Sequence, residues 1–167
     1  FTPSYNRAYL LPRCYESMKA QACKNFIWLI IDDGSTDNTA ELVKEWQKED
    51  NGFKIEYIYK PNGGMHTAHN TAYENIKTEL NVCIDSDDLL GADAVGKIIR
   101  FWKKHGSEKY AGILGLDADL NGDIIGKGFP KGLEETTLGG YYANGGKGDK
   151  KLVYRTDVIT KYPPYPV

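Results

Sequence analysis

Three carboxylates stand within four residues in Asp85-Ser86-Asp87-Asp88, at the end of the short apolar-leaning stretch 79–84. Like charges this close raise one another's pKa and cost stability unless a cation relieves them. Hard oxygen donors of this kind suit Mg²⁺ or Mn²⁺. In an extended chain Asp85 and Asp87 point to one side, because side chains alternate with period two. Asp88 points away if the strand continues, or toward the same cation if the chain turns. The plain alternative is a solvated cap for a helix starting near Asp93.

A second group, Asp32-Asp33-Gly34-Ser35-Thr36-Asp37, follows the apolar block Phe26–Ile31. Asp33 can accept a hydrogen bond from a base or a ribose hydroxyl, and Gly34 allows close backbone approach. The same residues are also ordinary turn and cap formers. A third group is Lys60-Pro61-Asn62-Gly63-Gly64, leading into Met65-His66-Thr67-Ala68-His69-Asn70. Glycines ahead of a helix N-terminus suit an anion or sugar contact. The spacing is neither the G-x-x-x-x-G-K-[ST] phosphate loop nor G-x-G-x-x-G. His66 and His69 lack the third ligand that a metal pair needs. Asp117–Asp123 resembles the start of a calcium loop, but its twelfth position is Gly128 rather than Glu, so an acidic hairpin is the better reading. Cys14, Cys23 and Cys83 have no paired spacing and read as free thiols, not as a zinc site.

The elements that must position these groups alternate. Phe26–Ile31, 53–59, 79–84 and 111–116 read as strands. Helical spacing runs from Leu11-Pro12 through Cys14, Tyr15 and Met18, and again over 39–50, 66–77 and 94–104. Proline is tolerated in a first helical turn, and Asp37 or Asn38 can cap the second helix. The order predicts an α/β domain with a mostly parallel sheet and helices on both faces. Ligands then sit at the carboxyl ends of the strands, where the acidic groups fall. After Leu116 the chain becomes glycine-rich, with a tight hairpin at Asn121-Gly122. That part reads as a loop-rich, partly antiparallel addition to the sheet.

The 167 residues carry 21 Lys+Arg against 23 Asp+Glu, a net charge of −2. A general nucleic-acid binder would be basic, so that class is set aside. No apolar run approaches the roughly 20 residues of a membrane span. The chain opens on Phe1-Thr2-Pro3 and closes on Tyr162-Pro163-Pro164-Tyr165-Pro166-Val167, and both ends read as cut.

Taken together and in order, Thr2-Pro3-Ser4-Tyr5-Asn6-Arg7, Ile31 to Asp37, Asn62-Gly63-Gly64 with Ala68-His69-Asn70, and Asp85-Ser86-Asp87-Asp88 resemble the family 2 inverting glycosyltransferases of the GT-A fold. The resemblance covers roughly residues 1–110. Gly148-Asp149-Lys150, followed by Val153-Tyr154-Arg155-Thr156, is similar to a bacterial branch of that family. The resemblance implies one GT-A domain over 1–167, with a nucleotide-sugar core at 1–110 and the start of an acceptor-side region at 111–167. It implies that Pro3, Ser4 and Tyr5 line the nucleotide, that Asp33 contacts the base, commonly uracil, and that Asp85 and Ser86 lie near the ribose. Gly64 and Asn70 would line the donor pocket. Asp87 would hold Mn²⁺ or Mg²⁺ on the diphosphate, with Asp88 assisting. Many members carry arginine where this chain has His69. The catalytic base is expected beyond Val167. The implied partners are a UDP-sugar donor and a glycan or lipid-linked acceptor, in surface polysaccharide or glycolipid synthesis. The implied location is the cytoplasm or the inner membrane surface. A nucleotidyltransferase and a non-catalytic, receiver-like domain are the alternatives.

Overall fold

A computed structural model describes residues 1–166. Strands and helices alternate along it: β1 (Thr2–Ser4), α1 (Leu11–Lys19), β2 (Ile27–Asp32), α2 (Thr39–Trp46), β3 (Lys54–Tyr59), α3 (Met65–Asn75), β4 (Leu80–Val82), α4 (Ala94–His105), β5 (Gly112–Leu116), α5 (Leu138–Ala143), β6 (Lys150–Arg155) and α6 (Thr156–Ile159). β2 is the centre of a parallel sheet, with β1 on one edge and β3 on the other. β6 runs antiparallel between β4 and β5 in a second three-stranded sheet. Phe1 joins the two. Its nitrogen donates to the Val82 carbonyl at 2.7 Å, and its carbonyl accepts from the Ile84 N–H at 2.9 Å. That is the hydrogen-bond pattern of a parallel pair.

The period-two alternation of β2 explains why helices cover both faces. Trp28 and Ile30 face one side and pack with Leu11, Cys14, Tyr15 and Met18 of α1 and Val43 and Trp46 of α2. Leu29 and Ile31 face the other side and pack with Phe1 and with Ala68 and Ala72 of α3. Tyr15 stacks on Trp46 with ring centroids 4.3 Å apart. The indole N–H of Trp28 donates to Thr2 Oγ1 at 2.9 Å, so the buried polar atom of each is satisfied across β1 and β2.

Several boundaries differ from expectation. α2 stops at Trp46, because the Asn51 amide donates to the Trp46 carbonyl at 2.7 Å and turns the chain. The cap of α2 is not Asn38, which makes no side-chain cap bond. Asp37 Oδ1 instead accepts from the Thr39 N–H at 3.1 Å. The apolar side of α4, including Val95, Ile98, Ile99 and Trp102, is only half-buried. The hairpin forms at Asn121-Gly122, with Asp119 N–H donating to the Asp123 carbonyl at 2.9 Å. α5 and α6 were absent from the sequence-based order. Thr137 caps α5 by accepting from Gly140 N–H at 3.0 Å.

Leu11 has no exposed surface and sits in the larger core cluster. Leu11→Ala is therefore expected to lower stability by about 3 kcal/mol, the usual cost of a buried leucine cavity. Urea unfolding should show an earlier midpoint at unchanged slope.

Candidate functional site

The loops at the carboxyl ends of β1, β2 and β3 are bonded into one body. The Asp33 N–H donates to the Ser4 carbonyl at 2.8 Å, and the Lys60 N–H to the Asp32 carbonyl at 2.9 Å. The Asn6 N–H donates to Ser35 Oγ at 2.9 Å, while its Oδ1 accepts from the Thr36 N–H at 2.8 Å. Asp37 Oδ2 accepts from the Ala8 N–H at 3.0 Å, which ties the approach to α1 to the start of α2.

Asp33 lies at the middle of this body and is 3% exposed. Its Oδ1 accepts from Lys60 Nζ at 2.5 Å and from the Gly63 N–H at 3.1 Å. Its Oδ2 accepts from the Gly64 N–H at 2.7 Å and from Asn62 Nδ2 at 3.2 Å. Lys60 Nζ also donates to the Pro61 carbonyl and to Thr67 Oγ1, each at 2.7 Å. The anion that a glycine-led helix N-terminus attracts is here the protein's own carboxylate. A base N–H reaching Asp33 must share an oxygen with these donors. Gly34 makes the approach possible. Its φ is +84°, and a Cβ there would lie 2.6 Å from the Asn62 backbone nitrogen.

Pro3 and Ser4 are buried on β1, beside Ile31 and Asp32. Ser4 Oγ is buried and has no hydrogen-bond partner among the described residues. Tyr5 follows them and is exposed. Asp32 is occupied by the fold: it accepts from the Ser35 N–H at 2.8 Å and from the Tyr57 hydroxyl at 2.5 Å.

The acidic group lies just past β4, the strand bonded to Phe1. The Asp88 N–H donates to the Asp85 carbonyl at 3.0 Å, so the chain turns here instead of continuing as a strand. Ser86 is buried, Asp85 half-buried, and Asp87 and Asp88 exposed. Cys83 Sγ donates to Asp85 Oδ1 at 3.6 Å. Burial, followed by the charge of Asp85, pushes the Cys83 thiol up to about 12, so it remains a donor at neutral pH. Asp88 Oδ2 pairs with Lys151 Nζ at 3.2 Å, and Asp117 Oδ1 lies 3.9 Å from the same ammonium. Burial opposes the charge on Lys151, but Asp117, Asp88 and Asp85 outweigh it and raise its pKa.

His69 is enclosed edge-on by Phe1, Tyr73 and Tyr165, and its Nε2 lies 3.8 Å from Cys83 Sγ. Burial lowers its pKa, and Asp85 opposes that shift. The Asn70 amide is held by Tyr165, donating to its carbonyl at 2.9 Å and accepting from its N–H at 2.8 Å. His66 is exposed, and no group of three or more His, Cys, Asp or Glu among the described residues could hold a metal by itself. A cleft of about 900 Å³ lies away from these loops, walled by Tyr73, Ile76, Trp102 and Arg155, and contains none of the expected site residues.

Pro3, Ser4, Asp33 and Gly64 are thus brought into one bonded body, with Asp85–Asp88 on the adjoining strand end and Asn70 turned to the C-terminal segment. Lys60 and Thr67 belong to the third sequence group and Asp117 to the acidic hairpin, but none of the three had a role assigned at this site, and Lys151 was not singled out. For Lys60 a signal existed, since a lysine directly precedes the Pro-Asn-Gly-Gly turn. Lys151 and Asp88 are 63 residues apart, and no local pattern links them.

Two consequences are measurable. Asp33→Asn leaves the half-buried Lys60 ammonium without its counter-charge, and the cost should fall below the roughly 3–5 kcal/mol of breaking a fully buried pair. Its denaturation midpoint should drop accordingly, and amide exchange should quicken at Gly63 and Gly64. Burial pushes the Asp37 carboxyl up, but hydrogen bonds from Thr39 and Ala8 outweigh it and hold its pKa below the ordinary value. A depressed carboxylate stabilises the fold above its unfolded pKa and loses that contribution as pH falls through the folded value. Asp37→Ala should therefore lower stability at pH 7, and the difference from the unsubstituted chain should shrink in acid melts as pH falls below the ordinary Asp value of about 3.9.

Comparison with known proteins gives the family and the fold. The family model "Glycosyl transferase family 2" matches residues 1–120. Glycosyltransferase GlyA of Streptococcus pneumoniae is 36% identical over 93 residues, covering 56% of this chain and 13% of that protein. Chondroitin synthase of Pasteurella multocida is 30% identical over 129 residues, covering 77% of this chain and 13% of that protein. The crystal structure of Staphylococcus aureus TarS 1–349 in complex with UDP-GlcNAc superposes with a TM-score of 0.67 at 20% identity, covering 96% of this chain and 45% of that one. That last likeness shows the fold, which is the GT-A fold.

Proposed function

The chain belongs to glycosyl transferase family 2, and on that premise we propose that it binds a nucleotide-sugar, a UDP-sugar by preference, for metal-dependent transfer of the sugar to an acceptor hydroxyl. The observation that carries the reading is the pairing of a braced nucleotide-side body, centred on Asp33, with an open carboxylate at the adjoining strand end. Asp87 is exposed, and among the described residues no hydrogen bond or ion pair reaches its carboxylate.

In the proposed reaction the acceptor oxygen bonds to the anomeric carbon as the bond from that carbon to the diphosphate oxygen breaks. A single displacement inverts the configuration. Negative charge grows on the departing diphosphate and needs fixed positive charge beside it. A divalent cation, Mn²⁺ or Mg²⁺, supplies that charge when bound. The donor set fits such an ion. One or two hard carboxylates are too few to fill its coordination, which suits a cation that completes its shell with diphosphate oxygens and water. Asp87 would hold it, with Asp88 as the further candidate.

Pro3, Ser4 and Tyr5 are proposed to line the nucleotide, and the unpartnered Ser4 Oγ is available to it. Asp33 is proposed to meet the base, Asp85 and Ser86 the ribose, and Gly64 and Asn70 the sugar side. A base must take the proton of the acceptor hydroxyl. We assign that role to none of the described residues. The relatedness to a chondroitin synthase supports a glycan or lipid-linked acceptor in surface polysaccharide or glycolipid synthesis. No helix among the described residues is long and apolar enough to cross a membrane. The chain spans 13% of the length of each of the two relatives above, so the whole protein's acceptor and product are part of this proposal.

Thermal shift with UDP or GDP in the presence of Mn²⁺ tests the reading. A ligand at a hundred times its Kd adds about 2.7 kcal/mol, a rise of several degrees for a domain of this size. Asp87→Ala should abolish the metal-dependent part of that rise. If neither nucleotide moves the melting temperature with Mn²⁺, the donor-binding reading fails.

A further inference from the structure

β6 carries two adjacent lysines whose side chains leave opposite faces, as period-two alternation requires. Lys150 is buried, and its ammonium donates to the carbonyls of Asp149 at 2.8 Å, Lys147 at 3.0 Å and Ile125 at 3.3 Å. Lys151 turns the other way. It lies opposite Gly115 of β5. Its ammonium reaches the acidic turn and sits between Asp88 and Asp117.

The Lys151–Asp88 pair is half-exposed on the aspartate side, at 50% side-chain exposure against 27% for the lysine. Ion pairs of that exposure add little to stability. Their effect is on local charge. Asp85, Asp87, Asp88 and Asp117 together present four carboxylates to an incoming diphosphate, which is itself an anion. One fixed ammonium among them reduces that repulsion and holds Asp88 toward β6. Asp87, by contrast, has no such partner among the described residues.

We infer that Lys151 is a positioning residue that sets the charge of the acidic turn through its pairs with Asp88 and Asp117. The inference rests on the donor-binding reading.

The test uses the 167-residue chain, with Mn²⁺ affinity read by electron paramagnetic resonance and UDP and GDP affinity by calorimetry in saturating Mn²⁺. Lys151→Met keeps an unbranched apolar stem and removes the charge. Mn²⁺ alone should then bind about threefold tighter and the nucleotide about threefold weaker, the scale of one partly exposed charge. A merely structural role would weaken both together. Lys151→Arg should restore both affinities. Asp87→Asn should lose metal-dependent nucleotide binding. The inference is overturned if Lys151→Met leaves nucleotide affinity unchanged or if both affinities fall together. An unsubstituted chain that binds neither nucleotide overturns the donor-binding reading itself. Normal binding by that chain with an unaffected Lys151→Met overturns this inference alone.

Discussion

A carboxylate removed from water must have every lone pair accounted for, and Asp33 meets that demand with donors from one short stretch of chain. Lys60, Asn62, Gly63 and Gly64 all donate to it. The arrangement fixes more than one side chain. It holds the loop after β3 against the loop after β2, and it sets where α3 begins. α3 in turn supplies Ala68 and Ala72 to one face of the sheet and carries His69 and Asn70 toward the C-terminal segment. The low local dielectric that makes an unpaired charge so costly also makes the paired one rigid.

The sheet beneath is built to hold those loops side by side. β2 is buried on both faces, and its neighbour β1 carries its hydrogen bonds onward through Phe1 to the β4 segment. The Asp33 body and the acidic turn therefore end adjacent strand lines. Ligand sites of open α/β sheets fall at such ends because the strands fix the loops while the loops remain open to solvent.

What could be read from the sequence was what depends on near neighbours. The stripe of Leu11, Cys14, Tyr15 and Met18 and the alternation of Trp28, Leu29, Ile30 and Ile31 were legible because helix and strand periods are local properties. The Asp-Asp-Gly-Ser and Asp-Ser-Asp-Asp groups were legible as strand-end groups for the same reason. α5 was hidden by Gly139 and Gly140, poor helix formers held there by the Thr137 cap and the buried Tyr141. β6 was hidden because its lysines carry the pattern of a solvated strand, although Lys150 is buried in a ring of carbonyls. The tie between Lys151 and Asp88 had no local trace at all, since only the folded sheet brings the two together.

The position of β6 has a consequence for the order in which the molecule is made. β1, β2 and β3 with their helices use contacts within the first 75 or so residues, the kind that form early. β4 and β5 have no direct pairing with each other and wait for β6, which follows both in the chain. With synthesis at about 5–20 residues per second, the Asp33 body can form while β4 is paired on its Phe1 side alone. The strand that finishes the sheet is the same one that delivers Lys151 to the carboxylates. Pairing of β4 with β5 through β6 and neutralisation of the turn are thus a single event.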